Sequence, residues 1–267
     1  TLAAAADRVA VRASDDRFRL PVDRVFALAG AGTIVTGTVW SGAVREGDHV
    51  RLLPAEHEAR VRSVQVHGAA ATMAGPGRRA ALALVGVDKD AAARGDVVVA
   101  GDAWRSGRRF EAVVTLLAGV RLKPRARVRI HHGTAEVMAR ITLDVAPEDA
   151  APSAARILLE APLVARAGDR FVLRSYSPVT TIGGGVIVDP WADDVPAARR
   201  RRLGPATAAL LDDAARVVRL VVARGPSGMD RAALEVAAGL DVTRLTAVLA
   251  RAPQLGLVES DGWLVAE

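Results

Sequence analysis

The sequence predicts a mainly β protein with a C-terminal α+β unit: two consecutive β-barrels, then three helices and a hairpin in winged-helix order. Three observations carry this. Short β-branched runs alternate with Gly- and Asp-bearing turns from Phe18 to about Pro190, with no alternating β-α units between them. Aromatic residues make up 3% of the chain against 51% hydrophobic residues, so its cores must be built from Val, Leu, Ile and Ala. From residue 191 onward the apolar period changes from that of a strand to that of a helix.

Composition bounds the rest. A length of 267 residues suits two or three compact units. The absence of cysteine excludes disulfides, thiolate metal sites and thiol nucleophiles, and fits a cytoplasmic protein. No apolar run approaches the ~18–20 residues of a membrane span, and Thr1 begins no signal peptide. The net charge of +6 favours an acidic partner such as nucleic acid. Because Lys89 and Lys123 are the only lysines, the abundance of arginine reads equally well as the codon habit of a GC-rich genome.

Taken in order, Leu2 to Val11 reads as the end of a helix or a disordered terminus. Val25 to Leu28 and Thr33 to Val39 read as paired strands around Gly30-Ala31-Gly32, with glycines at 30, 32 and 37 allowing kinks or close backbone approach. Turns at Ser41-Gly42, Glu46-Gly47-Asp48, Gly75-Pro76-Gly77 and Arg94-Gly95-Asp96 divide this stretch into a barrel over 18–103. Gly-Asp recurs before a strand at 47–48, 95–96 and 168–169, and is read as turn chemistry in which Asp bonds nearby backbone. Gly101 to Gly107 is a polar break.

A second β unit occupies 108–190. Arg125-Ala126-Arg127-Val128-Arg129-Ile130 alternates so that Arg125, Arg127 and Arg129 share one face, either a solvated face or a contact for nucleic-acid phosphates. His131 and His132 would point to opposite faces of a continuing strand and so cannot chelate one metal. The triplet Gly183-Gly184-Gly185 precedes no Lys-Ser or Lys-Thr helix, so it is read as close packing where a barrel shuts rather than as a phosphate loop.

Residues 191–267 hold the remainder. Arg199 to Arg202 is a charge run, a solvated linker or a phosphate contact. A helix from Pro205 with Leu210, Ala214, Val217, Val218 and Val221 stops at Gly225-Pro226, and Asp212 with Arg216 is expected to pair on its outer face. A second helix near Met229–Ala238 ends at Gly239, and Asp241 caps a third. Asp261-Gly262 between apolar runs marks a hairpin. The third helix carries only Arg244 and Arg251, too few for reading base edges, so a spacer role fits at least as well as nucleic-acid binding.

Residues 21–42 resemble the opening of the second domain of elongation factor Tu-like translational GTPases, in which an acidic pair, Phe, Gly-x-Gly-Thr-Val and a second Thr-Gly line the pocket for the aminoacyl end of tRNA. Asp23-Arg24 departs from that acidic pair. That departure, with Gln65-Val66-His67-Gly68, Gly86-Val87-Asp88-Lys89-Asp90 and Thr181 to Pro190, is similar to the selenocysteine-specific elongation factors. The resemblance implies two barrels of the elongation factor type (domain II at 18–103, domain III at 108–190), a preceding linker at 1–17 from a missing GTPase domain, and a linker helix with a first winged-helix domain at 191–267.

It also groups Asp23, Arg24, Thr36 and Arg79 as a selenocysteyl pocket. A selenol is largely ionised at neutral pH while a serine hydroxyl is not, and arginine keeps its charge when partly buried. The implied function is binding selenocysteyl-tRNA for delivery to the ribosome at recoded UGA codons. An mRNA hairpin would be met only through later winged-helix repeats, and a monomer without membrane contact is expected. No catalytic residue, metal or cofactor is expected here: no Gly-x4-Gly-Lys-Ser/Thr occurs, so GTP and Mg2+ would belong to the missing domain. The alternatives are a stand-alone RNA-binding β-barrel protein and an aminoacyl-tRNA-binding piece of another translational GTPase.

Overall fold

Runs of Val, Leu and Ala bounded by tight turns can bury one face only by pairing, and in this chain they pair into barrels. The computed structural model describes residues 16–28, 32–144, 151–196 and 212–267, in two compact units, Thr1–Gly101 and Asp102–Glu267. Residues 1–15 of the linker read at 1–17, Gly30, the Arg199–Arg202 run, Pro205 and Leu210 lie outside the described residues.

The first unit holds β1 (Arg19–Leu28), β2 (Gly32–Thr38), β3 (Val44–Arg45), β4 (His49–Leu53), β5 (His57–Val66), β6 (Ala69–Ala71), β7 (Met73–Ala74), β8 (Arg79–Val85) and β9 (Val97–Val99). The order β4-β9-β1-β2-β8-β5 closes on itself because β4 also pairs with β5, giving a six-stranded barrel. Leu20, Val22, Val35, Leu52, Leu82, Leu84 and Val98 fill it, an aliphatic core as the composition requires. Closure removes the unpaired edges that an open sheet of these strands would expose.

The second unit opens with β10 (Ser106–Leu116), β11 (Ala126–His132), β12 (Ala135–Leu143), β13 (Ser153–Val164), β14 (Arg170–Ser175) and β15 (Thr181–Asp189), a closed barrel in the order β10-β13-β12-β11-β14-β15. The glycine triplet lies in β15 at its seam with β10. A Cβ at Gly183 would stand 2.5 Å from the Thr115 carbonyl oxygen, and one at Gly185 2.6 Å from that of Val113. Backbone packs there where no side chain fits, which is the reading the sequence gives for these residues.

The Gly-Asp turns behave alike in both barrels. Asp48, Asp96 and Asp169 each accept a hydrogen bond from the backbone N–H three residues earlier, of Arg45 (2.7 Å), Ala93 (2.8 Å) and Arg166 (3.0 Å). Asp169 also meets buried His132 at 3.1 Å, while His131 faces outward.

The C-terminal elements are α1 (Asp213–Arg224), β16 (Met229–Asp230), α2 (Arg231–Ala238), α3 (Val242–Leu249), β17 (Leu257–Ser260) and β18 (Trp263–Ala266), with the three strands in the order β16-β18-β17. Asp212, Asp230 and Asp241 cap the three helices, each accepting from backbone N–H groups in the first turn. Such a cap contributes about 1 kcal/mol. The outer-face pair expected of Asp212 and Arg216 does not form. Asp212 is committed to Ala214 and Ala215, and Arg216 lies on the buried stripe beside Val217 and Leu220, donating to the Ala238 carbonyl at 2.8 Å. No described helix is long and apolar enough to cross a membrane.

Candidate functional site

A single extra residue in β1 organises the site on the first barrel. Val22 pairs with Gly37 and Arg24 with Thr36, so Asp23 has no opposite number and forms a β-bulge. A bulge re-aims side chains that strict alternation would send to opposite faces. Gly37 makes the crossing feasible, since a Cβ there would lie 2.1 Å from the Pro21 carbonyl oxygen.

Asp23 is the hub. Its Oδ1 accepts from Thr36 Oγ1 at 2.6 Å and from Arg79 Nη2 at 2.9 Å, and Oδ2 accepts from Arg79 Nη1. Partial burial opposes its ionisation, but the hydrogen bonds from Arg79 and Thr36 and the charges of Arg79 and Arg24 prevail and hold the carboxyl below the usual range. The Arg79 guanidinium is held more firmly protonated through the same bonds. Arg24 and Arg79 flank β2 from either side, Arg24 opposite Thr36 and Arg79 opposite Thr38, with Asp23 between them.

Thr36 and Arg79 thus bond one carboxylate, and Arg24 of the same group acts on it through its charge alone. Two features were not legible beforehand. Arg79 is engaged by Asp23, so the cluster presents one net positive charge rather than two. A cavity of about 210 Å³ opens beside it, lined by Thr36 and Arg79 and by Gln65 and His67, whereas Asp23 and Arg24 stand outside its lining. Gln65 is in register with Ala81, itself opposite Thr36, and His67 sits with Gly68 in the two-residue turn joining β5 to β6. The outward alternation of Gln65 between Val64 and Val66 was the available signal.

On the second barrel, β11 begins at Ala126, and Arg125 precedes it with a left-handed φ of 59°. The three-arginine face therefore reduces to Arg127 and Arg129, because the turn at Lys123–Ala126 lifts Arg125 out of the alternation. Arg127 holds Glu160 with two bonds of 2.8 and 2.7 Å, and Arg129 binds Glu136. Both lie over the Tyr176 ring, at 4.6 and 5.9 Å. Arg125 instead joins Arg109, Arg140 and Arg156 around a groove of about 610 Å³. Arg140 stands directly opposite Arg127 across β11 and β12, and the Glu160 carboxylate offsets both charges.

Among the described residues no group of three metal-ligating side chains converges. Neither lysine suits a nucleotide phosphate: Lys89 starts a single turn of 3-10 helix and Lys123 lies in the turn before β11.

Comparison with known proteins places both barrels. The model of elongation factor Tu domain 2 matches residues 32–99, and that of the β-barrel domain of selenocysteine-specific elongation factor matches 110–194. Its second barrel belongs to the selenocysteine-specific elongation factor β-barrel family and its first to the elongation factor Tu domain 2 family. The selenocysteine-specific elongation factor of Desulfomicrobium baculatum is 38% identical over 66% of this chain, and that of Escherichia coli K12 is 33% identical over 66%. The chain spans 28% of the length of each. The crystal structure of a bacterial selenocysteine-specific elongation factor EF-Sec superposes over 100% of this chain and 42% of its own, with a TM-score of 0.78 at 21% identity, a likeness of fold.

Proposed function

We propose that the chain binds the aminoacyl end of selenocysteyl-tRNA on its first barrel and the phosphate backbone of the same tRNA on its second, for delivery to the ribosome at recoded UGA codons. The observation that carries this reading is the convergence of Thr36, Arg79 and Arg24 on bulged Asp23 beside a small polar cavity, in a barrel of the elongation factor Tu domain 2 family. A net cation there attracts a selenolate and gains little from a neutral hydroxyl. Gross attraction at ~4 Å and an effective dielectric of 20 is about 4 kcal/mol, much of it offset by desolvation. A remainder of ~1.4 kcal/mol would give tenfold discrimination.

In the groove Arg109 pairs with Asp193 at 3.2 Å and Arg156 with Asp144 at 3.0 Å, so the backbone contact rests on Arg125 and Arg140, while Arg127 and Arg129 are matched by Glu160 and Glu136. The C-terminal elements have winged-helix order and act in this reading as a spacer, since Arg244 is occupied by Asp213 at 2.7 Å. The chain works as a binding protein, a cytoplasmic monomer, with nucleotide chemistry assigned elsewhere in the family's architecture.

The test compares selenocysteyl-tRNA with seryl-tRNA on the same tRNA body. Arg79→Ala should weaken the first roughly tenfold and the second little. Equal losses would remove the charge-selective pocket and leave a barrel that binds RNA by its backbone alone.

A further inference from the structure

The seam of the second barrel sets two carboxylates face to face, Asp189 accepting one backbone bond from Trp191 N–H at 2.9 Å and Glu111 standing opposite Arg156 of β13. Glu111 on β10 is directly opposite Asp189 on β15, and they are 6% and 2% exposed. Like charges facing each other across a sheet repel, and burial removes the water that would screen them.

Both are answered from one helix. Arg219 of α1 reaches Glu111 at 2.6 Å, and Arg224 grips Asp189 with bonds of 2.6 and 2.8 Å. Arg224 also donates to the Trp191 carbonyl at 3.1 Å, just past the end of β15. Burial alone would loosen the Arg224 proton, but the Asp189 charge keeps it more tightly held than usual. The next helix is pinned as well: Ala167 N–H donates to the Ala237 carbonyl at 3.0 Å, and a Cβ on Gly239 would sit 2.2 Å from the Ala167 carbonyl oxygen.

We infer that α1 is an obligate part of the second barrel, and that α1 and α2 form a hinge-free joint holding the C-terminal elements at a fixed place on it. The reasoning is one of charge and access. Without α1 the seam would lose the two cations that face Glu111 and Asp189, so the barrel and the helix order together. Because both pairs are dry and the Arg224 pair is bidentate, small rotations of the helix cost whole charge-assisted bonds rather than bending them. Anything bound by the C-terminal elements is therefore presented at a constant distance from the arginine groove, and the inference stands or falls without reference to tRNA.

The chain has no cysteine, so spin labels can be placed cleanly at two exposed positions, Val172→Cys on β14 and Thr243→Cys on α3. The expected result is one narrow distance distribution. Arg224→Met, leaving Asp189 buried and unpaired, should broaden it and lower the unfolding midpoint by roughly 10 °C. Asp189→Leu with Arg224→Met removes both charges and should restore the narrow peak and most of the midpoint. A broad or two-peaked distribution in the labelled chain that keeps Asp189 and Arg224 would overturn the joint outright. So would an unchanged midpoint and an unchanged peak in Arg224→Met. If that variant does not fold, a double variant that also fails to fold counts against the charge argument.

Discussion

Asp23 with Arg79 and Asp189 with Arg224 are the same chemical object in two settings. Each is an arginine holding both oxygens of an aspartate, one on each barrel. On the first barrel the arginine side chain is 52% exposed and the aspartate 20%; on the second the figures are 4% and 2%. An exposed pair exchanges partners with water and ligands at little cost, about 0–1 kcal/mol. A buried one cannot, and breaking it costs about 3–5 kcal/mol. Burial alone turns one geometry into a site and the other into a strut.

Breaking the strut is the largest effect this contrast predicts. Arg224→Ala should destabilise the second unit by about 3–5 kcal/mol in denaturant titration, and a loss under about 1 kcal/mol would erase the distinction between the two pairs. Replacing both partners, Asp189→Leu with Arg224→Met, should come within about 1–2 kcal/mol of the parent or exceed it, because apolar isosteres escape the desolvation penalty.

On the first barrel the order reverses. Arg79→Ala should cost at most about 1 kcal/mol of stability while weakening selenocysteyl-tRNA binding roughly tenfold, so affinity and stability measured on one preparation would separate the roles. Asp23→Asn should also leave the fold nearly unchanged, and it frees Arg79, so the binding of an anionic side chain should strengthen unless Asp23 itself holds the aminoacyl amine.

The smallest effect concerns acid. The folded carboxyl of Asp23 titrates below its ordinary value of 3.8, so its contribution is fully present above that value and fades as pH falls through the lower folded one. Asp23→Asn should therefore flatten the acid limb of the stability curve slightly, below about pH 4. A change centred near neutral pH would mean another group is responsible.

Much of the scaffold was legible because local chemistry wrote it. The three Gly-Asp turns, the cap at Asp241 and the Asp261-Gly262 hairpin each depend on residues a few positions apart. What distance in sequence hides is different in kind. Arg219 and Glu111 are 108 positions apart, and by helical pattern Arg216, Arg219 and Arg224 look like solvated charges until a barrel is placed beside them. The bulge at Asp23 was invisible for another reason: period-two alternation carries no mark for one extra residue, so only the resemblance brought Asp23 and Arg79 together. Arg125 failed the same alternation, since the turn before β11 claims it first.

Trp191 gives the joint a voice. Its indole is buried, Arg105 stacks on it at 4.0 Å, and its carbonyl is held by Arg224. A stacked guanidinium and a dry environment set the colour and yield of tryptophan emission. Loosening of the helix from the barrel should therefore register as a spectral shift under ultraviolet excitation, and the molecule carries its own optical gauge of whether its C-terminal elements are seated.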